Sequence, residues 1–429
     1  MLKQASSEMR FILVLCAVFS VRVVAGTDWP ATISMMYQGQ PISLTLYSLQ
    51  QDEPVYTHSA LANKGLRLGQ RVLFRHSRNL DLEQVSALSG RRFARVFELE
   101  QACWSVVLTP SARESLALIE QLRRTEGITL AEPDLLQVRL YRDSGNSPVT
   151  QAKANAVRQQ LSLTTWPERA GRGVKIAVID SAFSLSDPML DSIVVEMHYD
   201  IDNRRALPAK PDPALLESDT LHGDASLATI WSRHPDYPGI APDASAILLR
   251  RDKNWTSDIL MSLQLSYLTG ADLVQAAWTL PFTQQALTEA LEYLSYHGRQ
   301  GKGAVIVAAA GNHAEHLDNG FSLAAQPQVL TVNAVSQALK WPVTGHQIAG
   351  YVEVPYQVYS SATGTYSLAY SNTSAATAAM TGVLAAVLSV QPSLSARQLS
   401  QLVRHHSQPV FRAQSMMQSV QNKRVTYEQ

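Results

Sequence analysis

Four polar residues, each at the edge of an apolar run, have the types needed to attack a carbonyl and manage its proton. Asp180 closes the apolar run in GVKIAVIDSAF. A carboxylate at a strand's carboxyl end stays ionised if it accepts hydrogen bonds, and it can then orient an imidazole. His222 lies in LHGDASLATIW, between a polar loop and an apolar segment. Its rival, His297, closes an amphipathic segment with Gly298 where a left-handed cap is expected, so a helix end explains it. Asn312 follows GAVIVAAAG, and a side-chain amide at a strand's end can donate to an oxyanion. Ser374 sits in YSNTSAATAAMTGVLAAVLSV, residues Tyr370 to Val390. Asn372 or Thr373 would cap a helix there, placing Ser374 in the first turn, where the helix dipole favours developing negative charge. Taken singly, Asp180 and Asn312 read as turn residues and Ser374 as a capping serine. Taken as a set in the order Asp180, His222, Asn312, Ser374, they read as orienting acid, base, oxyanion donor and nucleophile. His313 and His316 form a His-x-x-His around Glu315, with no third ligand at recognisable spacing, so no metal site is expected.

Such residues need a scaffold that brings distant strand ends together. Val174–Ile179, Ala246–Leu249, Leu273–Ala277, Ala304–Ala310 and Val329–Val335 are short, mostly apolar runs. Helix-like segments such as Ser257–Leu268 and Gln284–His297 separate several of them. Continuous apolar strands alternating with helices predict a mostly parallel sheet covered on both faces. Functional residues then collect at the strands' carboxyl ends. The Ala375–Val390 run is apolar but short and interrupted by threonines, which suits a core helix.

Ahead of that sheet, residues 71–140 read as strand, helix, strand, strand, helix, strand, the split βαβ or ferredoxin-like plan. Its first helix is expected in NLDLEQVSALSG, and its second starts at Ser111 with Glu114 in capping-box register and ends at Gly127. Residues 27–66 contain one clear strand, Ile42–Leu49. RDSGNSPVTQA (142–152) reads as an exposed linker, and residues 406–429 as a polar tail.

Lys plus Arg and Asp plus Glu number 36 each, which gives no support to a nucleic-acid footprint. Apolar residues make up 46%, enough for a sizeable core. Lys3 and Arg10, the apolar FILVLCAVFSV and small residues near 23–26 predict a secretory signal, hence an exported protein, secreted or periplasmic. With that signal removed, no transmembrane segment is expected. Only Cys16 and Cys103 occur, so no disulfide framework is expected, and Cys103 reads as a small core residue.

The order Asp, His, Ser is that of subtilisin, whereas the Gly-x-Ser-x-Gly elbow, with the order Ser, acid, His, is absent. VKIAVIDSAF resembles the aspartate strand of the subtilisin-like serine peptidases. HGDASLATIW followed by YPGIAPDASAILLR resembles their histidine helix and the next strand entry. GAVIVAAAGN is similar to their oxyanion-asparagine strand, and TSAATAAMTGVLAAVL to their serine motif and helix. The resemblance covers about residues 160–405 and, more loosely, a propeptide-like region over 71–140. It implies an α/β fold, a three-layer α/β/α sandwich with a mostly parallel sheet, preceded by a small ferredoxin-like α+β propeptide domain. It further implies the division 1–26 signal, 27–145 propeptide-like domain, 146–159 linker, 160–405 catalytic domain and 406–429 tail.

What the resemblance implies for function is a serine endopeptidase acting on proteins or peptides. Ser374 would be nucleophile, His222 general base, Asp180 its orienting acid and Asn312 an oxyanion donor. Ala277, Trp278 and Thr279 would form the strand that meets the substrate backbone. The N-terminal domain would be an intramolecular inhibitor and folding assistant, cleaved off near residues 140–155. No cofactor is expected, and calcium enters only through the family, with no site identified in the sequence. The flanking motifs depart from the family: Ala182 and Asn372 stand where it has glycine, Asp224 two residues after the base, Ala378 for a proline, and Ala277–Trp278–Thr279 for Ser-x-Gly. Those departures give a second reading, a catalytically inactive subtilase-fold protein that binds peptides or a partner.

Overall fold

The computed structural model describes residues 28–422 apart from 51–52, 62–63, 82, 84–85, 87–92, 140–154, 186, 210–220, 314–315, 337–342 and 359–367. The predicted signal, most of the linker and most of the helix expected over 79–90 lie outside the described residues.

Two large sheets are built in chain order. The first contains β1 (Thr32–Tyr37), β2 (Gln40–Gln50), β3 (Glu53–Thr57), β4 (Lys64–Ser77), β5 (Phe93–Glu98), β6 (Ala102–Leu108) and β7 (Ile128–Arg139). Helix α1 (Ala112–Leu122) precedes β7, and its cap is the expected one, with Ser111 accepting from the Glu114 backbone N–H. β6 lies between β4 and β5, as the split plan requires, and β7 pairs with the other edge of β4. All these pairings are antiparallel. Sequence periodicity found β2 but missed β1 and β3, which extend this sheet into a meander ending on β4.

The second sheet contains β8 (Lys175–Asp180), β9 (Val194–Asp200), β10 (Arg205–Ala206), β11 (Ser245–Arg250), β12 (Leu273–Ala276), β13 (Val305–Ala309), β14 (Val329–Val335) and β15 (Ile348–Glu353). Their order is β10-β9-β11-β8-β12-β13-β14-β15, parallel except for the β9–β10 pair. Strands β9 and β11 lie on one side of β8 and β12–β15 on the other, so the strand order reverses at β8. A crevice forms at such a switch point, outside the carboxyl ends of the strands.

Side chains alternate across this sheet, as strand geometry demands. Ile176 and Val178 enter one core with helices α2 (Leu221–Trp231) and α5 (Asn372–Val390). Ala177 and Ile179 enter another with α3 (Thr256–Leu268) and α4 (Gln285–Gly301). Helix α5 is 19 residues long and apolar enough to cross a membrane, but it is a core helix here, with 83% of its apolar window buried inside the fold. Cys103 is a buried, free thiol in β6.

Several local expectations fail. Helix α1 ends at Leu122 rather than at Gly127, and the residue at the N-cap of α5 is Ser371, not Asn372 or Thr373. Gly298 is not the left-handed cap: its ψ is 157°, and Arg299 and Gln300 carry the positive φ values, 52° and 57°. Glycine is required there for space instead, because a Cβ would lie 2.7 Å from the Ala304 backbone nitrogen. The segment read as a polar tail is folded as far as 422, with helix α6 (Ala396–His405) running into it and α7 (Ala413–Gln421) burying Met416 and Met417. Its glutamines and serines hid two core methionines.

Candidate functional site

Strand parity sends Asp180, like Ile176 and Val178, toward the face covered by α2 and α5. Its carboxylate is buried and accepts the Ser181 backbone N–H at 2.8 Å. The same carboxylate receives His222 Nδ1 at 2.9 and 3.0 Å to its two oxygens. His222 stands in the first turn of α2, and the next residue must be glycine. A Cβ on Gly223 would lie 2.0 Å from the Ala182 carbonyl oxygen, so any side chain would push the histidine helix away from the aspartate loop.

Asp224, the unusual carboxylate near the base, does not face the imidazole. It accepts the Ser184 backbone N–H at 3.0 Å and the Ser184 hydroxyl, tying α2 to the loop after Asp180. Burial pushes its carboxyl above the ordinary range.

Ser374 occupies the first turn of α5, as expected. Its Oγ donates to the Ala277 carbonyl at 2.8 Å. Asn372, which begins the helix, has φ of 69°. That is the left-handed region, where asparagine is the commonest alternative to glycine. The departure from the family's glycine therefore keeps the backbone shape. Asn312 lies three residues past β13, and its Oδ1 accepts from the Thr373 N–H at 3.1 Å and the Thr373 hydroxyl at 2.9 Å. An amide held by its oxygen turns its Nδ2 hydrogens to the opposite side.

Residues Ala277–Thr279 extend from the end of β12. Ala277 is buried and offers the carbonyl that holds Ser374. Trp278 Nε1 donates to the Ile179 carbonyl at 2.8 Å, and the Arg251 guanidinium stacks on its ring at 4.3 Å. Burial lowers Arg251 to about 10. Thr279 is exposed.

Two tyrosines missed in the sequence set the spacing of the two helices. They sit opposite each other in the ribbon β16 (Tyr356–Val358) and β17 (Leu368–Tyr370). Tyr370 Oη pairs with Ser226 Oγ at 2.9 Å, and its ring meets the His222 ring edge-on at 6.0 Å. Tyr356 Oη donates to the Ala375 carbonyl at 2.7 Å and contacts Thr229 Oγ1 at 3.2 Å. Burial raises both phenols. The available signal was Ser226 and Thr229, two hydroxyls one turn apart in an otherwise apolar helix.

His316 Nδ1 lies 2.9 Å from Thr344 Oγ1, and His297 stacks on Tyr293 at 4.3 Å. Among the described residues no group of three or more His, Cys, Asp or Glu is placed to hold a metal ion.

The chain is thus a three-layer α/β/α protein with an Asp–His pair and a helix-borne serine gathered at the switch point of its parallel sheet. Residues 171–425 match the model of the subtilase family, and the chain belongs to that family. It is 25% identical over 226 residues to the thermophilic serine proteinase of Bacillus sp. (strain AK1), covering 52% of this chain and 53% of that protein. Fervidolysin from Fervidobacterium pennivorans, a keratinolytic enzyme related to subtilisin, shares the fold with a TM-score of 0.59 at 17% identity, over 84% of this chain and 58% of fervidolysin. The chain spans little more than half the length of either relative.

Proposed function

We propose that this chain is an exported serine endopeptidase that cleaves proteins or peptides, with Ser374 as nucleophile, His222 as general base and Asp180 as the base's anchor. The observation that carries this reading is the Asp180 carboxylate on His222 Nδ1, at 2.9 Å, beside a helix that bears Ser374 in its first turn. An Nδ1–H donated to the carboxylate leaves the lone pair on Nε2, the nitrogen that takes the serine proton. Ser374 rotates away from the Ala277 carbonyl to engage it, since catalytic hydrogen bonds often form only with substrate in place. The proton passes to the leaving amine, and water then repeats the sequence on the acyl-enzyme. The Asn312 side chain and the Ser374 backbone N–H meet the oxyanion. Ala277–Thr279 borders the substrate.

The N-terminal domain is the chain's own inhibitor and folding assistant, and cleavage near residues 140–155 matures the enzyme. Supporting this, the end of β7 is seated on the catalytic domain. The Gln137 side chain exchanges hydrogen bonds with the Phe282 backbone, and the Gln137 N–H donates to the Asn254 carbonyl at 3.3 Å. Leu136 pairs antiparallel with Trp255.

A fluorophosphonate probe tests the claim directly. Purified, N-domain-free protein should be labelled, and Ser374→Ala should not. Absence of Ser374-dependent label would leave the inactive, peptide-binding reading, which the Ser374–Ala277 bond favours. For maturation, the wild-type N-terminus should move to near residue 150 while that of Ser374→Ala stays near 26. Equal processing would assign the cut to another protease.

A further inference from the structure

We propose that the β1–β2 hairpin is a latch that holds the N-terminal domain on the catalytic domain after the connecting chain has been cut. Its turn, Gln38–Gly39, has positive φ at both residues, 47° and 75°, a tight hairpin turn with Tyr37 as the last paired residue of β1. Tyr37 reaches across the boundary into a socket of the catalytic domain, while Gln38 Nε2 donates to its hydroxyl at 3.0 Å from its own side. Its ring stacks on Phe321 at 4.7 Å and 20°, and Phe282 lies 6.0 Å away. Its hydroxyl donates to the Gly320 carbonyl and receives Gln326 Nε2 at 3.3 Å. Beside it the Gly39 N–H donates to Gln285 Oε1 at 3.0 Å, and His58 lies against Phe321 at 5.0 Å.

β5 packs on α3, and β7 is bonded to Asn254, Ser257, Phe282 and Gln284. The hairpin meets Phe282 and Gln285 at the edge of that contact and extends it to Gly320–Gln326, a few residues after Asn312. Tyr37 and residues 140–154 lie at opposite ends of the N-terminal domain's sequence, so cutting the connection removes none of the residues that make the hairpin's contacts. Phe282 belongs to one apolar cluster with Trp29, Ile33, Met35, Leu44 and Tyr56 of the N-terminal domain, so departure would expose apolar surface on both partners. The consequence is an enzyme whose inhibitor leaves slowly, at a rate set by the hairpin. The consequence for inhibition rests on the peptidase reading, whereas the latch itself does not.

The test removes catalysis from the question. In a Ser374→Ala background, a recognition sequence for an added site-specific protease is placed within 140–154, the chain is cut, and release of the N-terminal fragment is followed by size exclusion and intact mass. Loss of a stacked ring and its hydrogen bonds should speed release about tenfold in Tyr37→Ala, with Tyr37→Phe in between. Phe321→Ala, which leaves the N-terminal domain's own sequence intact, should match Tyr37→Ala, and the double variant should be no faster than either. Release rates equal to the parent's in both single variants would overturn the latch, as would full additivity in the double. A failed peptidase reading would leave every one of these rates unchanged.

Discussion

Asp180 and Asp134 are both buried aspartates that accept a backbone N–H and side-chain hydrogen bonds, yet they answer to different partners. Asp180 receives Ser181 N–H and His222, both from its own domain. Asp134, on β7, receives the N–H and hydroxyl of Ser257 across the domain boundary, at 3.0 and 2.5 Å, with Arg71 3.9 Å away. Burial pushes Asp134 up to about 6 despite these donors, and pushes its neighbour Glu132 up to about 7. Folding of one domain desolvates Asp180 once and permanently. Asp134 and Glu132 are buried where β7 meets the second domain, so separating the two would rehydrate them. The first arrangement is fixed within one domain, and the second would make attachment depend on pH.

The sharpest break in that comparison is Asp180→Asn. The amide keeps the shape but holds the wrong imidazole tautomer, and kcat on a peptide substrate should fall about 10⁴-fold. A loss under tenfold would mean that Asp180 does not anchor the base. Next is Asn312→Ala, expected to cost about 10²–10³ in kcat with little change in KM, a magnitude taken from subtilisin rather than from the distances here. An increase confined to KM would make Asn312 a binding residue only.

On the docking side, the sign follows from the raised values. Glu132 sits at about 7 when docked against 4.5 ordinarily, so the docked state binds its proton more tightly. Its contribution is complete below pH 4.5 and is lost as pH climbs through 7, by about 3 kcal/mol. Asp134, at about 6 against 3.8, acts in the same direction over a lower window. Arg123 opposes and Glu289 reinforces the shift at Glu132, and Arg71 opposes that at Asp134. Release of the cut N-terminal fragment from Ser374→Ala protein should therefore be slowest near pH 4 and quicken toward neutrality. Glu132→Gln, which still accepts the Met36 N–H, should flatten much of that rise between pH 5 and 7. Identical profiles for the parent and Glu132→Gln would remove Glu132 from the linkage.

The same contrast explains what the sequence disclosed. Asp180, His222, Asn312 and Ser374 each end or begin an apolar run, a local pattern visible without the fold, and β8, β11, β12, β13 and β14 were legible for the same reason, whereas β9, β10 and β15, toward the sheet's two edges, were not. The docking residues had no such mark. Glu132 and Asp134 sit two apart in β7 as the polar face of a half-exposed strand would, Gln137 follows three residues later out of that period, and only the second domain makes these polar residues interior. Tyr37 and Phe321 meet across 284 residues of chain. Asn372 was misread from the opposite cause: the residue type looked eroded, but its function there is a backbone angle that side-chain identity reports only indirectly.

The smallest expected effect probes how the site's two helices are spaced. Tyr370→Phe removes the hydroxyl that pairs with Ser226 and keeps the ring that meets His222. Both hydroxyls are buried, so Ser226 is left unpaired, and stability should fall by about 1–3 kcal/mol. Activity below the melting range should drop less than about threefold, because the ring alone contacts the imidazole. Tyr370→Phe with Ser226→Ala removes both partners and should recover most of the lost stability, read as the thermal midpoint. If the double variant is no more stable than Tyr370→Phe, the unpaired Ser226 is not the cause. A tenfold loss of kcat in Tyr370→Phe with an unchanged midpoint would show instead that the hydroxyl, through Ser226, sets the position of His222 against Asp180.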